Sequence, residues 1–266
     1  MIVAARHGLK CQAVGGVGYE DMGDWVLMKL GKFGIDTELM QRCEGFATSS
    51  SLVTTRPDGQ RPALHKRGAT DGFFIDDAQI DRVLDTRILH VGGVGLMNRM
   101  DDGSRTREVM AEAKRRGVVT TLDVFASTAA DLPKVETLLP CTDYFIPSEE
   151  EALALSGLHD NHDQAQVLLD RGAGCVILTL GARGAFCRHK DRTAFHTPSF
   201  QIEVQCTCGC GDCCNGGFAT GLHLGLAPQE CVELAQNAAG LGRQAGVRDL
   251  AHTREFTATT AHRAKV

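Results

Sequence analysis

A glycine-rich segment between a strand-like and a helix-like stretch constrains the fold of this chain most. Residues 200–204 alternate apolar and polar side chains, as in a strand, and residues 209–217 place glycines around one carboxylate, Asp212, before an apolar run. Because glycine has no Cβ, backbone N–H groups in such a loop approach an anion closely, and a following helix adds the positive end of its dipole. The order of strand, glycine loop and helix therefore predicts an anion site beside Asp212. A tight turn without a ligand is the alternative that the glycines alone leave open.

Composition narrows the classes of protein. The 266 residues suffice for one large α/β domain or two small ones, and the net charge of −5 gives no basic surface for nucleic acid. The sequence has no run of about 18 apolar residues, so no membrane span is predicted. Residues 1–8 lack a signal-peptide pattern. The eleven cysteines are an odd number, and five of them crowd into residues 206–214. This pattern favours a reducing cytoplasm over a secreted disulfide framework.

Strand-like and helix-like segments alternate along most of the chain, which predicts a parallel sheet flanked by helices in a single domain spanning residues 1–266. Ligands of such sheets lie beyond the carboxyl ends of the strands. We predict strands at 12–18, 88–91, 118–122, 144–146 and 175–180, and helices at 21–34, 104–116, 149–156, 161–171 and 232–241.

Residues 45–68 have a sequence pattern that differs from the alternation of strands and helices. Two β-prone runs flank Pro57-Asp58-Gly59, a turn sequence, and predict a hairpin that serves as a lid over the substrate.

Three motifs in the chain resemble, in order, those of the PfkB/ribokinase family of sugar and nucleoside kinases. Residues 207–217 are similar to its signature D-T-T-G-A/C-G-D-x-F-x-x-G, residues 146–151 to its P-N-x-x-E motif, and residues 176–185 to its T-L-G-x-x-G strand and turn. The resemblance covers roughly residues 3 to 250. It implies a ribokinase-like three-layer α/β sandwich, with a mostly parallel central sheet, flanking helices and a small β lid.

The resemblance also implies roles for individual residues in phosphoryl transfer from ATP. Asp212 would accept the proton of the substrate hydroxyl, and the N–H groups of Gly209, Cys210 and Gly211 would stabilise the developing charge. Glu151 would organise Mg²⁺ through water. The residues implied at the nucleotide are Thr179, Gly181, Gly184, Ser148 and Asn237, the last of them near the adenine.

Structural alternatives accompany several of these residues. The carboxylates of Glu149–Glu151 open a helix, where the dipole favours them without any metal. Thr179 also fits an ordinary strand position, and a loop-capping role fits Asp123 and Asp131 better than a site role. The histidines show no metal-ligand spacing.

The chain departs from the family pattern at several places. The family's N-terminal strand and its G-G-x-x-x-N motif are not found, and residues 3–9 resemble the end of the helix that follows that motif, so we expect several sugar contacts to be missing. Cys206 stands where the signature has the Asp that is linked to a monovalent cation, which puts that cation in question. Ser148 stands where the family has Asn, and Cys213 and Cys214 replace packing residues.

The function implied is an ATP- and Mg²⁺-dependent kinase that phosphorylates a hydroxymethyl group of a sugar. A nucleoside kinase of the same family and a non-catalytic nucleotide-binding protein are the alternatives. The C-x-C-x-C-x-x-C-C run at 206–214 leaves open a thiolate metal-binding protein, although no partner pair of cysteines accompanies it. A homodimer through the lid is compatible with the hairpin at 45–68.

Overall fold

The computed structural model describes residues 1–54, 63–102, 104–125, 128–191, 193–200 and 208–245. The strands are β1 Gln12–Val17, β2 Asp36–Arg42, β3 Ser50–Val53, β4 Ala63–Lys66, β5 Ile88–Val94, β6 Val119–Val124, β7 Tyr144–Phe145, β8 Cys175–Thr179, β9 Ala185–His189 and β10 Ala194–Thr197. The helices are α1 Ile2–Arg6, α2 Asp21–Lys32, α3 Ala69–Gly72, α4 Ile80–Val83, α5 Asn98–Asp101, α6 Arg105–Arg115, α7 Leu132–Glu136, α8 Glu149–Ser156, α9 Asn161–Asp170, α10 Cys210–Leu224 and α11 Pro228–Ala245.

The central sheet has the strand order β10-β9-β8-β7-β6-β5. Strands β5 to β8 are mutually parallel, as predicted, whereas β9 runs antiparallel to β8 and β10 antiparallel to β9. A separate parallel pair joins β1 and β2, and an antiparallel pair joins β3 and β4. Helices lie in every connection between the parallel strands: α5 and α6 before β6, α7 before β7, and α8 and α9 before β8. Such crossovers are needed because parallel neighbours cannot be joined by a tight turn.

Helices cover both faces of the central sheet. Along β8, Cys175 and Ile177 pack with Phe218 of α10 on one face, whereas Val176 and Leu178 pack with residues of α8 and α9 on the other. This alternation follows the two-residue period of a strand, and a strand buried on both faces is apolar throughout. The helices and the sheet therefore form three layers.

The helix predicted at residues 149–156 has those bounds in the structure, because both of its ends carry strong local signals. Ser148 caps the N-terminus and Gly157 ends the helix with φ +72°. The helix predicted at 232–241 was too short. Helix α11 starts at Pro228, a residue favoured in the first turn, and Glu230 accepts a 2.8 Å hydrogen bond from the Ala227 N–H.

The predicted lid hairpin is present as the β3–β4 pair, while its turn, residues 56–60, lies outside the described residues. Leu52 and Leu64 are opposite each other in this pair and are 63% and 72% exposed. A homodimer through the lid stays a prediction. Of the strand predicted at 200–204, Phe200 is not in a strand, and the other residues lie outside the described part. Within the described residues, no helix has both the length and the apolar character that crossing a membrane requires.

Close packing of α10 on α11 gives the first testable prediction, for Gly217→Ala. A Cβ at Gly217 would lie 2.8 Å from the Ala238 Cβ and 2.9 Å from the Leu234 carbonyl oxygen. We expect a loss of about 1–3 kcal/mol in the free energy of unfolding, measured by urea titration, because overpacking outweighs the gain in helix propensity. Gly31→Ala in α2 is the control, since no atom of the described residues lies within 4 Å of its added Cβ, and it should be stabilising. A Gly217→Ala variant as stable as Gly31→Ala would contradict the packing.

Candidate active site

Asp212 lies in the first turn of α10, as the sequence predicts. The helix begins after Gly209, whose φ of +74° favours glycine. Asp212 is the third residue of the helix, and within the described residues no side chain caps this end. Among the described residues, no atom lies within 4 Å of a Cβ added at Gly211. Helix N-terminal N–H groups and an open approach at Gly211 are the features that an anion site needs.

Three carboxylates from three different elements converge near this turn. Burial, followed by the negative charges of Glu151 and Asp212, raises the pKa of Asp123 in β6 to about 7. The Asn215 Nδ2 donates a 2.7 Å hydrogen bond to the Asp123 Oδ2. The sequence interpretation of Asp123 as a loop cap is therefore wrong, because the residue lies in a strand and faces α10. Asp131 does cap, accepting a 3.1 Å hydrogen bond from the Thr128 N–H.

Glu151 and Ser148 form a capping box at the start of α8. The Glu151 Oε2 accepts hydrogen bonds of 2.8 Å from the Ser148 N–H and 2.9 Å from its hydroxyl, and the Glu151 N–H donates back to the Ser148 Oγ over 3.2 Å. The capping alternative is thus observed. It also fixes the direction of the Glu151 carboxylate, whose charge reaches Asp123.

The second predicted motif adjoins the third. Ser148 and Thr179 form a parallel bridge, and the Thr179 N–H donates to the Pro147 carbonyl oxygen over 3.0 Å. Gly181 follows at φ +60° on the exposed surface. Ser148, Thr179 and Gly181 therefore lie together at the carboxyl end of β8, where a ligand of such a sheet is expected.

Gly184 and Asn237 have a different setting. Gly184 is buried at φ +94°, and an added Cβ would lie 2.0 Å from the Thr197 carbonyl oxygen. Close backbone packing therefore explains this glycine, whatever it does toward a nucleotide. Asn237 is half-buried on α11, a helix that packs against β9 and β10.

Two residues near these motifs escaped the sequence interpretation. Arg183, in the turn after β8, forms an ion pair with Glu149 and so ties the turn to α8. This hydrogen bond lowers the pKa of the Glu149 carboxyl. Asn215 gave one signal that could have been used, because it follows Asp212 by three residues and therefore lies on the same side of the helix.

A cavity of about 1210 Å³ opens beside Asp212. One wall is a stripe along α10, formed by Asp212, Asn215, Gly216, Ala219 and His223. Other walls include residues of β1 and β5, and within the described residues each of these strands is paired on one edge only. Asp212 is thus accessible from a space large enough for a small-molecule substrate.

The cysteines of the 206–214 run do not gather into a metal site in the described part of the chain, where no group of three or more ligating side chains is placed to hold an ion. Cys213 and Cys214 are buried in apolar contacts, in keeping with the packing residues that they replace. Burial raises the pKa of the Cys213 thiol to about 11, which disfavours the thiolate that a metal needs. Cys206 lies outside the described residues, Cys208 is exposed, and Cys210 is half-buried.

The raised pKa of Asp123 predicts a pH dependence of stability. A carboxyl group with a pKa near 7 when folded and near 3.8 when unfolded binds more protons in the folded state between these values. The free energy of unfolding should therefore gain a contribution as the pH falls from 7 toward 4, up to roughly 4 kcal/mol for a shift of this size. We expect the unfolding temperature of the parent, minus that of Asp123→Asn, to rise as the pH falls from 8 to 5. A difference independent of pH would contradict the burial of a titrating carboxyl group.

Comparison with known proteins places these motifs in a family. The family model described as pfkB family carbohydrate kinase matches residues 1–247. A ribokinase from Haemophilus influenzae is 24% identical over 266 residues, which is 96% of this chain and 84% of that protein. A structure of a putative ribokinase II from E. coli in complex with ATP and Mg²⁺ has a TM-score of 0.79 at 22% identity, covering 97% of this chain and 86% of the other. The structure of Arabidopsis thaliana ribokinase complexed with ribose and ATP has a TM-score of 0.79 at 20% identity, covering 91% and 78%. These similarities confirm the predicted ribokinase-like fold.

Proposed function

The chain belongs to the pfkB family of carbohydrate kinases, and we propose that it transfers the γ-phosphoryl group of ATP to a hydroxymethyl group of a sugar, with Asp212 as the base. The observation that carries this proposal is the position of Asp212. This residue lies at the start of α10, where no side-chain cap is found among the described residues, and it lines the cavity. A hydroxyl group entering the cavity would therefore meet a proton acceptor and the positive end of a helix dipole together.

The anion hole in this proposal consists of the N–H groups of Gly209, Cys210 and Gly211. In phosphoryl transfer the protein mainly positions the reactants and stabilises charge. N–H groups directed at the transferred group are therefore expected to contribute more to the rate than the base does. Open space at Gly211 supports this role, because a phosphate can approach the backbone there.

Mg²⁺ fits the chemistry of the carboxylates near Asp212. Glu151 and Asp212 offer only oxygen donors, and the negative charges of both act on the same neighbouring group, the carboxyl of Asp123. Since no ready-made metal-binding group exists among the described residues, Glu151 would hold the ion through water and substrate phosphates, as this cation commonly requires. When bound, Mg²⁺ neutralises charge on the phosphates.

The nucleotide in this proposal lies at the carboxyl end of β8. The adjacent Ser148 and Thr179, with the exposed Gly181, form the surface that binds the nucleotide. The buried Gly184 lets the turn after β8 pack closely against the backbone of Thr197. Asn237 would complete the site at the adenine. The complex of ATP and Mg²⁺ with the E. coli neighbour supports the choice of nucleotide.

A nucleoside is the second candidate substrate. The cavity volume of about 1210 Å³ exceeds what a single pentose needs, so size alone does not select a free sugar. Both acceptors present a hydroxymethyl group, and Asp212 would serve either in the same way.

Release of ADP with Mg·ATP across a panel of ketoses, pentoses and nucleosides tests the proposal. We expect one acceptor to raise ADP release well above the rate with ATP alone, and its class decides between sugar and nucleoside kinase. Nucleotide binding in a thermal-shift assay, with no acceptor raising the rate, would replace this proposal with the non-catalytic nucleotide-binding alternative. Stoichiometric zinc lost on Cys208→Ser would favour the thiolate alternative.

A further inference from the structure

We propose that Asp123 is a positioning residue that holds the first turns of α10, and with them Asp212, in the orientation needed for transfer. The catalytic meaning of this inference rests on the proposed function. The contact that carries it is a feature of the fold and can be tested without turnover.

The contact joins two distant parts of the chain. The Asn215 Nδ2 and the Asp123 Oδ2 are 2.7 Å apart, across 92 residues of sequence. Asn215 is only 7% exposed, so little solvent competes for its amide. A hydrogen bond between an amide and a partly buried carboxylate is among the stronger kinds that proteins make.

The start of α10 needs an external support. Three of its first eight residues are glycine, which is among the poorest helix formers. Gly209 supplies the N-cap position in a left-handed conformation, and no side-chain cap is found there among the described residues. Tertiary contacts therefore decide whether these turns stay helical.

Strand pairs on either side of Asp123 fix its place in β6. Leu122 pairs with β5 and β7, and Val124 pairs with β5 beyond a register shift. Beyond Asp123, the Phe125 N–H still donates to the Val94 carbonyl oxygen over 3.0 Å. The carboxylate is thus a fixed point of the sheet, and Asn215 transmits its position to the helix.

The orientation set by this hydrogen bond extends to Asp212. Residues three apart on a helix lie on neighbouring positions of one face, and both Asp212 and Asn215 line the cavity. Rotation of the helix would move the two side chains together. Asp123 acts through Asn215 in this arrangement and accepts no proton from the substrate.

Turnover of a set of variants separates a hydrogen-bond acceptor from a charge. Asp123→Leu removes the acceptor and should lower kcat by ~10- to 100-fold, the cost of a small misplacement of a catalytic group, with KM for ATP changed less than ~threefold. Asp123→Asn keeps an oxygen that accepts from Asn215 and should stay within a few-fold of the parent. Asp123→Leu with Asn215→Leu should be no worse than either alone, because both remove one contact. An Asp123→Asn variant as slow as Asp123→Leu would overturn the positioning role, as would an unchanged kcat in Asp123→Leu.

Hydrogen exchange reads the same contact without any reaction. In Asp123→Leu, amides of residues 213–217 should exchange at least ~tenfold faster than in the parent, as expected when a local opening becomes easier. Asp143→Leu is the control, since Asp143 accepts a 3.0 Å hydrogen bond from the Thr120 N–H at the other end of β6, and it should leave those amides unchanged. Should Asp123→Leu not fold, Asn215→Leu breaks the contact from the helix side.

Turnover and hydrogen exchange together distinguish failure of the proposed function from failure of the positioning role. A parent protein that phosphorylates no acceptor, but whose α10 loosens in Asp123→Leu, would refute the proposed function and keep the anchoring contact. A parent that is active, with exchange and kcat both unchanged in Asp123→Leu and Asn215→Leu, would refute the inference and keep the function.

Discussion

Asp212→Asn is expected to lower kcat by about a thousandfold, within the range that removal of a general base gives, while the affinity for ATP changes little. The amide is nearly isosteric with the carboxylate but cannot accept the hydroxyl proton at neutral pH. Nucleotide affinity should survive, because the surface proposed for ATP lies around Ser148 and Thr179, on other elements. Steady-state ADP release and a nucleotide titration measure the two effects separately.

The matched control for this variant is Asp163→Asn. Asp163 is the third residue of α9, as Asp212 is the third residue of α10, and it is exposed. Each substitution removes one favourable charge from the first turn of a helix, worth about 0.3–1 kcal/mol of stability. The two variants should therefore match in stability and differ in turnover. Equal turnover in Asp212→Asn and Asp163→Asn would remove Asp212 from the mechanism.

Gly211→Ala is expected to change stability and activity in opposite directions. In the part of the chain that the structure describes, no atom lies within 4 Å of the added Cβ, and the residue is helical. The free energy of unfolding should therefore rise by about 0.5–1 kcal/mol. A phosphate seated on this turn would meet the new methyl group, and we expect kcat/KM for Mg·ATP to fall by about a hundredfold, as when an anion-hole donor is lost.

Gly31→Ala supplies the comparison, because within the described residues its Cβ is equally unobstructed and it lies in the last turn of another helix, α2. It should gain stability without any loss of activity. Full activity in Gly211→Ala, with the expected gain in stability, would show that no phosphate rests at this turn.

Local signals explain where the sequence predicted the structure well. Ser148 is a local signal for the start of a helix and Gly157 for its end. The helix between them was predicted to the residue. Two of the three motifs follow strands of the parallel part, and Ser148 lies beside Thr179 where they adjoin. The strands of the parallel part were placed within a few residues of their observed bounds.

Long-range contacts explain where it failed. The role of Asp123 depends on Asn215, 92 residues away, and nothing in the sequence near either residue announces the pairing. Burial of Gly184 depends in the same way on the backbone of Thr197. The antiparallel direction of β9 and β10 was not predicted, since the alternation of side chains along a strand does not fix its direction.

Identification of the phosphorylated product by ¹H–³¹P NMR tests the central claim most directly. The acceptor found by ADP release would be incubated with Mg·ATP and the parent protein, with Asp212→Asn alongside. We predict a phosphate ester coupled to the hydroxymethyl protons of the acceptor, formed by the parent and absent with the variant over the same time. Free phosphate in place of an ester, or an ester formed equally by both proteins, would contradict the account.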